Sequence, residues 1–260
     1  MKAFEIYNHL IQSSLKIWQE DTCDGLIVGD PNNEVRKIAT CFKLTMALVD
    51  RAVAEGVDMV ITHEPTFSRE DPCTEYKYKL DKQRLQKLQE SGLTVYRYHD
   101  HAHDREPDYI HAGFWDALGL KARPLPPEGF AVRCYELEEP LTVRQLGLRI
   151  KDCLKLDAVK MTGPEDALVK TVCLALGWVN LKMVRSFVDM DAELYITGEA
   201  DEVFSQEYIR DACYFGHQKA IFLLGHYGAE YAGMRLLAED LNKTVAPTVF
   251  LDGGEVFHFL

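Results

Sequence analysis

Residues 93–104 read Leu-Thr-Val-Tyr-Arg-Tyr-His-Asp-His-Ala-His-Asp: an apolar-rich run followed at once by three histidines and two aspartates. Leu93 to Tyr98 carries the β-branched and aromatic residues that favour strands, so the polar cluster falls at a strand's carboxyl end. Two other stretches share this arrangement. Val57–Thr62 runs into His63-Glu64-Pro65, and Ala220–Leu224 runs into Gly225-His226-Tyr227-Gly228-Ala229-Glu230. Imidazole nitrogens and carboxylate oxygens are the ligands of zinc, manganese and iron ions. Three strand ends offering that set predict one metal centre.

Around these stretches the hydrophobic pattern alternates between strand and helix periods. Helices are expected at 4–20, at 45–55 with Thr45 capping and Gly56 ending it, and at about 75–90, 108–118, 142–155 and 226–242. Strands are expected at 35–43, 57–62, 93–98, 131–137, 168–176, 192–197, 220–224 and 248–251, with a helix from the 192–197 strand to Tyr214. Strands alternating with helices imply an α/β fold with a mainly parallel sheet covered on both faces. Functional groups in such sheets gather beyond the carboxyl ends of the strands, where all three ligand stretches lie. Arg123-Pro-Leu-Pro-Pro-Glu-Gly129 is the best linker in the chain. Because the last ligand stretch must meet the first two, the expected organisation is discontinuous: a metal-binding α/β domain of 1–125 plus 220–260, with 126–219 inserted as a second α/β domain.

Composition narrows the function. The 260 residues are enough to bury a large core, and 47% of them are hydrophobic. No apolar run approaches the ~20 residues of a membrane span. The first residues lack a signal-peptide core, so a cytoplasmic location is expected. Seven scattered cysteines, without a Cys-x-x-Cys pair, argue against a disulfide framework and a cysteine-based zinc knuckle. A formal net charge of −12 disfavours nucleic acid as the main partner.

Each ligand stretch has a local logic. Just past the 57–62 strand, the turn before Pro65 can present His63 and Glu64 to one site. His226 and Glu230, four apart on a helix, share a face. Between them, at least one of His99, His101, His103 and Asp104 completes the set. A single histidine near a strand end is more often a solvated loop residue, and His9, His111, His217 and His258 are read that way. A two-metal centre would activate a bound water and clamp attacking and leaving oxygens, whereas no nucleophile elbow, phosphate loop or dinucleotide fingerprint is present.

Asp24-Gly-Leu-Ile-Val-Gly-Asp30, Ile61-Thr-His-Glu-Pro65, Tyr98-His-Asp-His-Ala-His103, Tyr195-Ile-Thr-Gly198 and Gly225-His-Tyr-Gly-Ala-Glu230 also occur in a familiar order. Together they resemble the GTP cyclohydrolase I type 2 homologues, the Nif-three-like family, in its short form. The resemblance implies two α/β domains, a dinuclear metal site in the interdomain cleft holding two divalent ions (zinc, manganese or iron) per chain, and a ring-shaped homohexamer. It places metal ligands at His63, His226 and Glu230. Glu64 stands where the family usually has a second histidine, and His103 stands where it usually has aspartate, with Asp104 one residue away. His99, His101 and Asp104 are further candidates for ligands or their supports. In Ala175-Leu-Gly-Trp-Val-Asn180, where relatives are glycine-rich, Trp178 would fill or reshape the cleft. The function implied is a metal-dependent hydrolase using a metal-bound hydroxide, with a nucleotide as candidate small-molecule substrate. The alternatives are a non-catalytic metal-binding scaffold or adaptor, and a metal carrier.

Overall fold

The computed structural model describes residues 1–15, 22–67, 78–126 and 133–259. They divide into two compact units, one made of Met1–Ile110 and Gly233–Gly253, the other of His111–Ala232 and Gly254–Leu260.

The first unit is built on β1 (Gly25–Val28), β2 (Ile38–Lys43), β3 (Met59–Glu64), β4 (Thr94–Arg97) and β11 (Thr248–Phe250), in the order β1-β4-β3-β2-β11. All neighbours are parallel except β1, which runs antiparallel to β4. Ile38 to Cys41, Met59 to His63 and Thr94 to Arg97 are buried. Strands buried on both faces read as near-continuous apolar runs. The helices are α1 (Ala3–Gln12), α2 (Met46–Ala54), α3 (Lys79–Glu90) and the single turn α4 (Asp100–His103). Thr45 accepts from the Leu48 amide to cap α2, and Gly56, at φ +68°, takes the left-handed conformation just past its end. Leu48, Val49 and Ala52 of α2 pack with Ala39, Val60, Val95 and Leu251 in this unit's core.

Helix α1 stops at Gln12 rather than running to residue 20. The Ser13 hydroxyl donates to the Leu10 carbonyl at 2.6 Å, and the Leu15 amide donates to the Asp104 carbonyl at 2.7 Å. The chain thus leaves the helical ladder for the loop beyond β4. Residues 16–20 of that expected helix lie outside the described residues, as does the 75–77 start of the helix expected at about 75–90.

The second unit contains β5 (Ala122–Pro124), β6 (Arg133–Thr142), β7 (Lys160–Thr162), β8 (Leu168–Val179), β9 (Leu194–Ala200) and β10 (Ala220–Leu223), in the order β5-β6-β8-β9-β10-β7. Here only β8, β9 and β10 are mutually parallel, so the sheet is mixed. Around it lie α6 (Val143–Cys153), α7 (Leu181–Asp189) and α8 (Glu207–Tyr214), the last preceded by a π-helical turn at Glu202–Gln206. Helix α5 (Tyr109–Leu118) and the 19-residue α9 (His226–Thr244) each cross a boundary between the units.

These boundaries differ from the expected 125/126 and 219/220. The stretch read as a linker opens with β5, an edge strand hydrogen-bonded to β6, where Pro124 needs no ladder donor; residues 127–132 lie outside the described ones. Strand β10, expected in the first domain, pairs between β9 and β7 in the second sheet. Cysteines also pair against expectation: Cys134 and Cys173 oppose each other in the β6–β8 ladder, their Cα atoms 4.0 Å apart, and form a disulfide. Cys23, Cys41, Cys153 and Cys213 are free thiols, and Cys73 lies outside the described residues. His111, expected in a solvated loop, is buried on α5 against the Tyr135 hydroxyl at 2.9 Å. No helix among the described residues is long and apolar enough to cross a membrane.

Asp58, at the mouth of β3, ties the β2 entry to the sheet by accepting from the amides of Arg36 and Lys37 at 2.8 and 3.1 Å and from the Arg36 guanidinium. Partial burial would raise its carboxyl, but the hydrogen bonds from Arg36 and Lys37 outweigh it and hold the group below its usual range. A depressed folded-state value means the carboxylate stabilises the fold above its unfolded range and loses that contribution as pH falls through the folded value. Asp58→Ala is therefore expected to cost about 1–2 kcal/mol at neutral pH. In denaturant titrations the gap between variant and wild type should close as the solution is acidified. A gap independent of pH would assign the loss to packing instead.

Candidate metal centre

In the first unit, β3 and β4 lie side by side and in register, so the residues beyond each strand emerge at the same sheet edge. His63, at the end of β3, is completely buried. His99 lies just past β4, and His103 closes the α4 turn. One ring nitrogen from each of these three histidines lies within 4.8 Å of the others. The His63 and His99 rings stack at 4.5 Å, and the His103 ring meets both edge-on at 5.0–5.1 Å.

The hydrogen bonds fix the tautomers. His63 Nδ1 sits 3.1 Å from the Tyr98 carbonyl oxygen, His99 Nδ1 2.9 Å from Asp100 Oδ1, and His103 Nδ1 3.1 Å from Asp108 Oδ2. Each partner is an acceptor, so each Nδ1 carries the proton and donates, leaving Nε2 as the basic nitrogen. Carbonyl or carboxylate behind an imidazole is the arrangement that orients histidine ligands and raises their basicity. Burial, followed by the neighbouring His63, pushes the His99 pKa down, which keeps that ring neutral and able to bind a cation. Burial alone would raise the Asp100 carboxyl. The hydrogen bonds from His99, from the Cys23 amide and thiol, and from the Thr22 hydroxyl outweigh it and hold Asp100 ionised. Glu64 completes this corner: Oε1 lies 3.7 Å from His99 Nε2, and Oε2 lies 3.6 Å from the buried Arg97 guanidinium.

His101 has a different place. Its Nδ1 meets Asp24 Oδ2 at 2.6 Å, both side chains being 1% exposed. Asp24 also accepts from the amides of His99, Asp100 and His101, so one buried carboxylate gathers the first turn of the loop. That anchoring turns His101 away from the three-histidine cluster and lets its neighbours converge. Asp104 caps the end of α4 through its amide and is absent from the cluster as well.

In the second unit, His226 opens α9. Its Nδ1 is 2.8 Å from Glu199 Oε1, and its Nε2 is 3.3 Å from Glu230 Oε2, one turn further on. Glu230 is 1% exposed. Again a carboxylate holds Nδ1–H, leaving Nε2 basic and beside a second carboxylate. The backbone makes room for this pair: a Cβ on Gly177 would stand 3.1 Å from Glu230 Oε1 and 3.4 Å from His226 Nε2. The chemistry of both donor sets, neutral imidazoles with carboxylates, fits divalent zinc, manganese or iron.

Sequence reasoning singled out His63, Glu64, His103, His226 and Glu230 but gave no role to Asp24, Asp100, Asp108 or Glu199. Glu199 directly follows the Tyr195–Gly198 stretch at a strand's carboxyl end, a position that could have marked it.

The Duf34/NIF3 (NGG1p interacting factor 3) family model matches residues 1–252. A Clostridium acetobutylicum protein named GTP cyclohydrolase 1 type 2 homolog is 26% identical over 224 residues, covering 84% of this chain and 80% of its own. A Neisseria meningitidis serogroup B protein of the same name is 25% identical over 252 residues, covering 97% and 93%. Among solved structures, protein ybgI, described as of unknown function, superposes with a TM-score of 0.81 at 24% identity over 98% of this chain and 99% of its own. A Bacillus cereus protein related to NIF3 gives 0.78 at 16% identity over 100% and 99%.

Proposed function

This chain belongs to the Duf34/NIF3 family, and on that premise we propose that it is a metal-dependent hydrolase whose dinuclear centre draws on His63, Glu64 and His103 of the first unit and His226 and Glu230 of the second. His99 joins the first set, and His101 and Asp104 serve the loop. The observation that supports this reading is convergence: one ring nitrogen from each of His63, His99 and His103 lies within 4.8 Å of the others, with every Nδ1 held by an oxygen acceptor so that Nε2 stays basic.

Two divalent ions, when bound, supply Lewis-acid polarisation of a carbonyl or phosphoryl oxygen and activation of water near neutral pH. The chain's own contribution is electrostatic and geometric. Asp100, Asp108 and Glu199 keep three rings in the ligating tautomer. Glu64 and Glu230 offset cation charge, and the burial of His63 and Glu230 raises the strength of those interactions. The relatives' names make guanosine triphosphate the first substrate to try, although a shared fold does not carry a substrate. The family resemblance adds a ring-shaped homohexamer to the proposal, measurable as solution mass by light scattering.

The test is turnover of a panel of nucleotides and phosphate esters by the purified protein, with and without chelator. Activity that disappears on chelation and returns with added zinc, manganese or iron is the expected result. Stoichiometric bound metal with no turnover across the panel would replace the hydrolase with a scaffold or metal carrier.

A further inference from the structure

Trp178 is 60% exposed on β8, a strand whose other large apolar side chains in the Val172–Val179 stretch are buried. Its position is the product of a bulge. Between the paired positions Ala175↔Thr197 and Trp178↔Glu199, β8 advances three residues while β9 advances two. An extra residue of this kind bends the strand and re-aims its side chains, and such bulges recur beside functional sites. Here it brings Gly177 under His226 and Glu230, and sets Trp178 opposite Glu199, the carboxylate that holds His226 Nδ1 at 2.8 Å. A large, exposed indole therefore borders the second unit's ligand pair at one strand spacing.

We propose that Trp178 is the specificity-determining platform of this site, stacking a planar heteroaromatic ring, such as a nucleobase, whose phosphate or carbonyl end engages the metal centre. This inference rests on the metal-centre proposal and adds to it the residue that would hold the base. An indole face left in water loses the apolar contact that a ring of similar size restores, and stacking is tolerant of ring identity because every base has a π-face. A quaternary ammonium ligand is the competing chemistry. It calls for several aromatic faces around one cation, whereas Trp178 presents one, and the carboxylate opposite it in the ladder, Glu199, is already committed to His226.

The experiment is calorimetric titration of the metal-loaded protein with the 5′-monophosphates of guanosine, adenosine, cytidine and uridine. Ribose 5-phosphate serves as the control without a base, and choline as the cationic control. Stacking of one base on an aromatic side chain is worth roughly 5- to 150-fold in affinity. The wild type is expected to prefer base-bearing ligands over ribose 5-phosphate by about tenfold or more within that range. W178A should abolish the margin and W178F should keep most of it, with bound metal, melting temperature and solution mass unchanged in both. The proposal is overturned by an absent margin in the wild type, by a margin that survives W178A, or by choline binding in place of the nucleotides. It is equally overturned if W178A removes the margin only by shedding metal or changing the solution mass, because Trp178 would then be structural. Lack of chelator-sensitive turnover would defeat the hydrolase while leaving the base margin measurable, so the two failures are distinguishable.

Discussion

His63→Ala is expected to lower divalent-metal affinity by more than about a hundredfold, since loss of a mere supporting partner of a ligand already costs about 10–100-fold. His63 stands completely buried against the rings of His99 and His103, with its Nδ1 proton committed to the Tyr98 carbonyl. Its removal deletes one of three convergent nitrogens and leaves a void, so a stability loss of about 1–3 kcal/mol accompanies it. His101→Ala, two residues from His99, should do the opposite. It breaks a buried hydrogen bond to the Asp24 carboxylate and costs about 1.5–3 kcal/mol of stability, yet leaves metal content near that of the wild type. His103→Ala should lose more metal than Asp104→Ala, because only His103 joins the cluster. Metal analysis after gel filtration, paired with thermal melts, reads both quantities. Full metal retention in His63→Ala and in His226→Ala would remove both residues from the ligand set, and metal loss in His101→Ala equal to that in His63→Ala would erase the division of roles.

That division shows where legibility in the sequence ends. The strand ends themselves were legible, because an apolar run that breaks into histidine and carboxylate has few structural excuses, and β3, β4 and β10 do end next to such residues. Which ring of the 99–103 stretch turns inward was not legible. Asp24 decides it, from 77 positions upstream of His101, by gathering three amides and one imidazole. A lone Asp before a Gly gives no such signal. Glu199 was missed for the same reason: one carboxylate after a strand is ordinary until the fold sets it against His226. The boundary between units escaped because Ala220–Leu224 is apolar in either sheet, and only its hydrogen-bond partners, β9 and β7, assign it. The Cys134–Cys173 bond, 39 residues apart, is likewise a product of register rather than of spacing.

Gly198→Ala is expected to unseat the second unit's ligand pair with a single methyl group. A Cβ at this position would lie 2.5 Å from the Leu176 carbonyl oxygen, 2.9 Å from that of Gly177 and 2.9 Å from the His226 Cα. All three are backbone atoms of packed elements, so no side chain can swing aside to relieve the clash. The same residue holds the start of α9 in place, because the Gly225 amide donates to the Gly198 carbonyl at 3.1 Å. The least costly relief is to push α9 away from β9, which stretches the 2.8 Å contact between His226 and Glu199 and moves Glu230 with it. Overpacking of this kind costs about 1–3 kcal/mol and can exceed that where the backbone must move, so the variant should fall at the upper end and lose metal as well. Gly253→Ala is the matched control, since its Cβ would meet only the Leu48 Cδ1 at an ordinary 3.4 Å; it should leave stability and metal content nearly unchanged. Neither glycine has a positive φ, so the comparison isolates space from backbone conformation. A Gly198→Ala protein that melts with the wild type and keeps its metal would show that α9 does not depend on this close approach for the placement of His226.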